Sequence, residues 1–219
     1  MTRSPATAIR GEAEIMLRGK DKSAADYKDS LLRIVETSTQ LSGRIDELLM
    51  LVRGDSELRL RFKTYHLSQV WSGWESLFQR LKNSSGADIR WTALTTSQGR
   101  LQLYIDAERT LQAIQIVLDN AVKYGGDQPI ELKLSQDATQ LQLAVMDHGI
   151  GVPVAERDHL FERFYRAHPL GDIPGTGLGL SLVKEIMKLQ GGDAELDSVE
   201  GVGTEVTLWL PLQEPSGMH

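Results

Sequence analysis

Between residues 89 and 210 the chain repeatedly alternates apolar with polar residues, and this pattern restricts its possible folds more than any other feature. Such alternation predicts strands of a sheet that is buried on one face only. The alternating runs are residues 89–91, 101–105, 130–134, 141–145, 194–199 and 205–210. Because stretches of helical period separate these runs, we expect an α+β two-layer sandwich, a mixed sheet covered by helices on one face.

Three stretches of helical period are expected to supply the covering helices. The first spans residues 67–82, the second follows Asp106 and runs to Tyr124, and the third spans residues 178–189. Asp106 can cap the second helix, since its carboxylate can accept from the free amides of the first turn. The residues expected to face the core are Val70, Trp71, Trp74, Leu77, Phe78, Leu81, Leu111, Ile114, Leu118, Ala121, Leu182, Val183 and Ile186.

Residues 1–60 show helical period without the alternation of the later strands, and this pattern predicts an α-helical hairpin. A helix over residues 5–17 is followed by a break at residues 19–22, and Ser23 can cap a second helix that runs to about Arg53. Two helices cannot bury an apolar stripe of that length, so we expect the hairpin to form a homodimeric four-helix bundle. The alternative is a hairpin folded back on the domain at residues 61–213. Residues 214–219 are expected to be a disordered tail.

Composition excludes several classes of protein. A net charge of −6 and a pI near 5.4 argue against nucleic-acid binding, which needs a basic surface. The absence of cysteine excludes disulfides and cysteine metal sites. The longest uninterrupted apolar run, residues 48–52, is far shorter than the roughly 20 residues of a membrane span. We therefore expect a soluble, cytoplasmic chain that would reach a membrane only through segments upstream of residue 1.

The segment LDNAVKYGG carries the first candidate site residues. Asn120, Lys123 and Tyr124 share one helical face with Ile116. A carboxamide oxygen can ligate Mg²⁺ while a lysine ammonium meets phosphate oxygens, a pairing that suits phosphate chemistry. The alternative is an ordinary solvated helix face.

The segment MDHGIGVP places Asp147 at the end of a predicted strand. A carboxylate at that turn can accept the amino hydrogens of adenine, and Gly149 and Gly151 allow the backbone to approach a flat ring. The alternative is a simple strand-ending turn. No second His or Cys lies at metal-ligand spacing from His148, so zinc is not expected.

The segment PGTGLGLSLV opens the helix over residues 178–189 with a run of glycines. Free amides at a glycine-fronted helix start can bind phosphate, although an ordinary glycine-rich helix start would look the same. The spacing differs from the dinucleotide fingerprint and from the P-loop. Upstream, Phe161 and Phe164 are either a core pair or the anchor of a mobile lid, and Arg166 is placed to reach a phosphate when that lid closes.

These motifs resemble those of the catalytic core of a two-component sensor histidine kinase, a member of the GHKL ATPase superfamily. LDNAVKYG resembles the N box of that family, DHGIGVP its G1 box, LFERFYRA its F box and GTGLGLSLV its G2 box. Residues 201–204 resemble the closing glycine turn, so the motifs occur in family order over residues 116–204.

The resemblance implies ATP and Mg²⁺ as cofactors and a GHKL ATPase fold. Asn120 would ligate Mg²⁺, Lys123 would contact phosphate, and Asp147 would bind the adenine amino group. The other implied ATP-binding residues are Tyr124, Gly149, Gly151, Phe164, Arg166, Gly175, Thr176, Gly177, Leu178, Gly179 and Thr204. One position departs from the N box, because Ile116 stands where the family usually has another Asn.

The helical hairpin resembles the dimerisation and histidine-phosphotransfer domain of the same family. Residues 1–11 match the stretch just after the phosphoacceptor histidine, so the matching histidine would precede Met1. None of the five histidines, at 66, 148, 159, 168 and 219, takes its place. We expect an H box truncated at Met1, and the alternative is a natural loss in a degenerate kinase.

The implied function is transfer of the ATP γ-phosphoryl group to a histidine and then to an aspartate in a response regulator receiver domain. Without the phosphoacceptor, this chain is not expected to phosphorylate itself. Two alternatives are a non-catalytic adaptor that docks a response regulator, and a GHKL ATPase that acts on DNA or client proteins. The acidic charge and the lack of an N-box Glu disfavour the second alternative.

Overall fold

The computed structural model describes residues 5–18, 22–53, 60–167 and 175–212. The chain divides into two compact units, Met1–Leu58 and Arg59–His219. Three predicted features lie outside the described residues: residues 168–174, which would belong to a lid, the predicted hairpin break at residues 19–21, and the predicted tail at residues 214–219. Within the described part of the chain, no helix has the length and apolar character needed to cross a bilayer.

The first unit contains the two helices that the sequence predicts, α1 (Pro5–Leu17) and α2 (Ala24–Arg53). Ser23 caps α2, because its hydroxyl accepts from the Asp26 amide at 3.2 Å while the Asp26 carboxylate accepts from the Ser23 amide at 3.0 Å. Glu12 and Arg33 form an ion pair of 2.7 Å between the helices. The hairpin that precedes the sheet is therefore confirmed.

The second unit is a mixed sheet with helices on one face. Its main strands are β2 (Ile89–Trp91), β4 (Ile130–Gln136), β5 (Gln140–Asp147), β6 (Asp193–Val199) and β7 (Gly203–Pro211), in the order β2-β4-β5-β7-β6. The β2–β4 pair is parallel and the other pairs are antiparallel. A separate antiparallel pair joins β1 (Lys63–His66) to β3 (Gln102–Ile105).

Three long helices cover the sheet, namely α3 (Leu67–Ser85), α5 (Ala107–Tyr124) and α6 (Gly179–Leu189). A short helix, α4 (Thr96–Gly99), and a 3₁₀ turn at Val154–His159 complete the unit. The sheet buries Leu141, Leu143 and Val145 of β5 and Val206, Leu208 and Leu210 of β7, which share one face. This arrangement confirms the predicted two-layer sandwich.

Two predicted core residues and three elements differ from expectation. Leu111 and Leu81 are only half-buried, and the core face of α5 consists of Thr110, Ala113, Ile114, Val117, Leu118 and Ala121. Helical period alone placed Leu111 on the buried face of α5. Because α3 and α6 also pack against α5, the buried face lies nearer to Thr110 and Ala113. The sequence did not indicate β1, α4 or the 3₁₀ turn. In β1 only Tyr65 is half-buried and the other residues are exposed, so an apolar alternation is missing.

Hydrogen bonds through Asp106 and Gln190 connect the beginning of α5 to the end of α6. The Asp106 carboxylate accepts from the Glu108 and Arg109 amides at 3.1 Å each, so it caps α5 as predicted. The Gln190 side-chain oxygen accepts from the Asp106 amide at 2.8 Å and from the Thr110 hydroxyl at 3.2 Å. The start of α5 is thereby joined to the end of α6.

Candidate functional site

A single row of polar side chains crosses the buried face at one end of the sheet. Asp147, the last residue of β5, lies opposite Thr204 of β7, and Thr204 lies opposite Ser198 of β6. Residues directly opposite in antiparallel strands project from the same face, so these three side chains are neighbours. Asp147 and Ser198 are 8% and 3% exposed. Asp147 and Thr204 form the polar floor of a recess, and Ser198 lies beside Thr204.

The recess is an open pocket between this row, α5 and the start of α6. Its lining is mostly apolar, as small-molecule sites usually are. The apolar walls include Val117, Val145, Leu180 and Val206. The polar groups come from Asn120, Tyr124, Asp147 and Thr204. A flat apolar ligand with a few polar edges fits this lining.

Burial raises the pKa of the Asp147 carboxyl above its usual range, and hydrogen bonds from the Gly149 and Thr204 amides oppose that rise. The Gly149 amide donates to Oδ1 at 2.9 Å. These two donors favour the ionised form despite the low exposure. The carboxylate keeps further lone pairs that can accept from a ligand in the pocket.

The turn after Asp147 is pressed against two other elements, and glycine is required there. A Cβ on Gly149 would overlap the Tyr124 carbonyl at the end of α5. Gly151 has φ of 60°, and a Cβ there would overlap the Val199 carbonyl. Any larger residue at either position would push the turn out of the pocket wall.

Two cationic side chains lie beside Tyr124, which lines the pocket. A Cβ on Gly175 would lie 3.0 Å from Lys123 Nζ, 3.7 Å from the Tyr124 hydroxyl and 3.8 Å from Arg166 Nε. Lys123 Nζ itself donates to the Tyr124 hydroxyl at 2.8 Å. The fold therefore brings together residues from three separate segments, Lys123 with Tyr124, Arg166 and Gly175, and it creates a positive patch beside the pocket.

The segment before α6 is held by its backbone. Gly177 has φ of 73°, and its carbonyl accepts from the Phe164 amide at 2.9 Å. The Leu178 amide donates to the Thr176 hydroxyl at 3.4 Å. A Cβ on Gly179 would lie 3.0 Å from Ile116 Cγ2, so the side chain at the atypical N-box position contacts the first turn of α6.

Phe164 does not pair with Phe161 in the core. Its side chain is 56% exposed and its φ is 66°, a strained value for a non-glycine residue. Phe161 is half-buried and stacks under Lys184, whose Nζ lies 5.0 Å from the ring centre. The core-pair interpretation of these two rings is therefore wrong.

Sequence reasoning missed Ser198, the third residue of the polar row. Its hydroxyl bonds to three groups from three segments, the Val152 amide at 2.9 Å, the Gly203 carbonyl at 2.8 Å and the Thr204 hydroxyl at 2.9 Å. A serine in a strand carries no distinctive local signal. Only the register of β6 against β7 reveals its position.

A family model matches most of the second unit. The model described as "Histidine kinase-, DNA gyrase B-, and HSP90-like ATPase" matches residues 105–214. That range contains every segment that forms the pocket.

Curated relatives are similar over nearly the whole chain. Sensor histidine kinase YkoH of Bacillus subtilis (strain 168) is 32% identical over 217 residues, which cover 98% of this chain and 46% of the relative. Sensor histidine kinase WalK of the same organism is 28% identical over 222 residues, which cover 97% of this chain and 35% of the relative. The chain thus spans less than half the length of these relatives.

Solved structures share the fold. Mycobacterial sensor histidine kinase MprB covers 69% of this chain with 99% of its own, at 28% identity and a TM-score of 0.58. Acinetobacter baumannii histidine kinase AdeS covers 97% of this chain with 97% of its own, at 20% identity and a TM-score of 0.60. The second likeness, at that identity, concerns the fold alone.

Proposed function

Because the chain belongs to the histidine kinase-, DNA gyrase B-, and HSP90-like ATPase family, we propose that its second unit binds ATP with Mg²⁺ and acts as the kinase core of a sensor histidine kinase. The observation that carries this proposal is that the pocket holds a buried carboxylate, Asp147, while Lys123 and Arg166 lie beside the hydroxyl of Tyr124, another residue of the pocket lining. One end suits a base and the other suits phosphates.

The adenine ring would occupy the apolar part of the pocket. Val117, Val145, Leu180 and Val206 offer the contacts that a flat ring needs on its faces. The lone pairs of the Asp147 carboxylate would accept the hydrogens of the amino group. Gly149 and Gly151 support this role, since they keep the turn close to the pocket without side chains in the way.

The phosphates would extend toward the cationic patch. Lys123 and Arg166 would neutralise phosphate oxygens, and amides at the start of α6, near Thr176 to Gly179, would donate to them. The exposed position of Gly175 and Thr176 supports access for a large anion. The presence of two cations beside Gly175 supports phosphate contact at this position.

The residues present fit a magnesium ion that is held mainly by the nucleotide. Asn120 lines the pocket and offers one carboxamide oxygen, whereas Ile116 at the atypical position offers none. Among the described residues no cluster of three or more His, Cys, Asp or Glu could cage a metal. Mg²⁺ commonly binds one or two protein oxygens together with phosphates and water, and when bound it would neutralise charge on the phosphates.

In the proposed reaction the protein mainly positions the γ-phosphoryl group. The bond from γ-phosphorus to its bridging oxygen breaks, a bond to an imidazole nitrogen of the acceptor histidine forms, and ADP leaves. The phosphoryl group would pass next to an aspartate in a response regulator receiver domain. No histidine of residues 1–219 matches the acceptor position, so the chain by itself would bind ATP without labelling an H-box histidine.

We also propose that the helical hairpin forms a homodimer. Leu17, Leu31, Leu32 and Val35 are 84%, 60%, 57% and 61% exposed, which leaves a large apolar surface on α1 and α2. Exposed apolar surface of this kind on paired helices is typical of a bundle that a second copy completes. Because ATP is the proposed substrate, the cytoplasm is the proposed compartment.

Calorimetry of the 219-residue chain with ATP, with and without Mg²⁺, tests the proposal. We expect ATP binding in the micromolar range that weakens when Mg²⁺ is removed. Absence of heat and of any competition with a fluorescent ATP analogue would contradict the nucleotide site. Acid-labile label on the chain after incubation with γ-labelled ATP would contradict the prediction that this chain does not phosphorylate itself.

A further inference from the structure

We propose that Ser198 is a positioning residue that makes the site prefer 6-amino purines over 6-oxo purines by fixing the direction of the Thr204 hydroxyl. The inference rests on the proposed nucleotide-binding function and extends it. It comes from the hydrogen-bond geometry of one buried hydroxyl, which no motif of the sequence includes.

The Ser198 hydroxyl has three partners and almost no contact with water. It is 3% exposed, and its oxygen lies 2.9 Å from the Val152 amide, 2.8 Å from the Gly203 carbonyl and 2.9 Å from the Thr204 hydroxyl. A serine hydroxyl can donate once and accept twice. Three partners therefore use its full capacity.

The identity of two partners settles the direction of the third bond. The Val152 amide can only donate and the Gly203 carbonyl can only accept, so the Ser198 proton must point at Gly203. The remaining lone pair of Ser198 can only accept. Thr204 is therefore the donor in the hydroxyl–hydroxyl bond, and its proton points away from Asp147 toward Ser198.

This direction determines what Thr204 can offer to a ligand. With its proton committed to Ser198, Thr204 Oγ1 keeps lone pairs only. Thr204 lines the pocket directly opposite Asp147, whose ionised carboxylate is also an acceptor. The polar floor therefore presents two adjacent acceptors and no hydroxyl donor.

Two adjacent acceptors suit an amino group, which carries two hydrogens. A 6-oxo group would instead face lone pairs on both sides, and a buried polar group without a partner is strongly unfavourable. Adenine nucleotides are accordingly favoured over guanine nucleotides. Without the Ser198 oxygen, the Thr204 hydroxyl could rotate and donate to an oxo group.

The test compares ATP with GTP on purified variants by calorimetry in the presence of Mg²⁺. We expect Ser198→Ala to lower the ratio of the GTP to the ATP dissociation constant by about tenfold, the usual effect of one hydrogen bond in a buried site. Ser198→Thr keeps the hydroxyl and should retain the ratio of the unsubstituted protein. An unchanged ratio in a folded Ser198→Ala variant would overturn the inference.

Two further variants separate positioning from a merely structural role. Thr110→Val removes another fully buried hydroxyl, which lies at the far end of α5. It should lower the melting temperature and leave the ratio unchanged, and a changed ratio would overturn the inference. Thr204→Val removes one acceptor and should weaken ATP more than GTP. If Ser198→Ala does not fold, Thr204→Val decides the question, because equal weakening would overturn the inference.

The outcomes also distinguish this inference from the function beneath it. A protein that binds neither ATP nor GTP contradicts the proposed nucleotide site and removes the basis for both proposals. A protein that prefers ATP, with a ratio that does not depend on Ser198, contradicts only the positioning role.

Discussion

The backbone amide of Arg61 donates a hydrogen bond of 2.7 Å to the carboxylate of Asp106, the N-cap of α5. The same carboxylate accepts from two amides of the first turn of α5. The beginning of the second unit is thus fixed to the helix that carries Asn120 and Lys123 at its other end. One carboxylate thus accepts hydrogen bonds from three backbone amides that would otherwise bond to water.

Asp106→Ala should therefore destabilise the second unit. It removes three hydrogen bonds, and we expect a loss of about 2 kcal/mol or more in the free energy of unfolding, because a lost N-cap alone typically costs about 1 kcal/mol. Urea denaturation followed by tryptophan fluorescence measures it. Asp127→Ala, at an exposed position after α5, serves as the control and should change stability little. A loss no greater than that of the control would contradict the role of Asp106.

Asp147→Asn should weaken ATP binding without destabilising the fold. The substitution places an amide donor beside the amino group and removes the charge, so we expect at least a tenfold loss of affinity. Burial raises the pKa of the Asp147 carboxyl above its value in the unfolded chain. The free energy of unfolding therefore falls as the pH rises through the interval between the unfolded and the folded pKa, because the unfolded chain ionises first. At pH 7 the variant should therefore be as stable as the parent or more stable.

The matched control for this prediction is Asp137→Asn. Asp137 precedes β5 at its opposite end and accepts from the Thr139 and Gln140 amides. Its charge removal should leave ATP affinity unchanged in calorimetry. Equal affinities for the parent and Asp147→Asn would remove Asp147 from the binding site.

Lys123→Met should act on the phosphates and not on the base. We expect about a tenfold loss of ATP affinity, a smaller loss for ADP and no change for adenosine, because the proposed ligand contacts of the ammonium are with phosphate oxygens and not with the base. The affinity of the variant should also depend less on salt concentration. Lys133→Met, on an exposed strand position, is the control. An equal loss for adenosine would indicate that Lys123 supports the pocket and does not contact phosphate.

Asp193→Asn should lower stability in a pH-dependent manner. Partial burial raises the pKa of the Asp193 carboxyl, but hydrogen bonds from Lys184 and Lys188 outweigh it and hold the pKa at about 2. Lys184 and Lys188 lie 2.6 Å and 2.7 Å from the two carboxylate oxygens. Because the folded pKa is depressed, the stabilisation is present above the unfolded pKa near 3.8 and is lost as the pH falls toward 2.

The measurement is urea denaturation of both proteins between pH 7 and pH 2. The difference should be about 1 kcal/mol at pH 7, after allowance for solvent screening of this partly exposed group, and should fall to a small fraction of that value at pH 2. A difference that does not change with pH would assign the effect to packing. Asp197→Asn, whose partner is Arg157 at 3.1 Å, provides a comparison with a more exposed carboxylate.

Local patterns predicted the strands and helices where burial imposes a period. Residues 141–145 alternate because β5 lies in the middle of the sheet with one face covered, and the structure extends that strand to Asp147. The strand β1 left no such pattern, since its pairing with β3 is held by backbone hydrogen bonds and leaves most of its side chains exposed. A period in the sequence indicates burial, and elements that bury little do not produce one.

Those residues of the candidate site that stand in a recognisable short segment could be predicted from the sequence. Asn120, Lys123 and Asp147 each stand in a short segment whose composition suggests its chemistry. The proximity of Lys123 to Arg166 and the position of Ser198 beneath Thr204 arise from contacts between segments. Strand register and the path of the chain before α6 decide those contacts, and neither can be predicted from the spacing of residues within one segment.

The Gln190 side chain gives the two helices beside the pocket a shared fixed end. Its oxygen accepts from Asp106 and Thr110 at the beginning of α5, while Gln190 itself ends α6. The pocket lies at the opposite end of both helices. If these hydrogen bonds stay intact while the pocket widens, the simplest helix motion is a rotation about Gln190. Displacement would then grow with distance from Gln190 and be largest at Gly179, where the phosphates are proposed to bind. In such a motion the start of α6, which is proposed to bind the phosphates, would move further than the part of α6 beside Gln190.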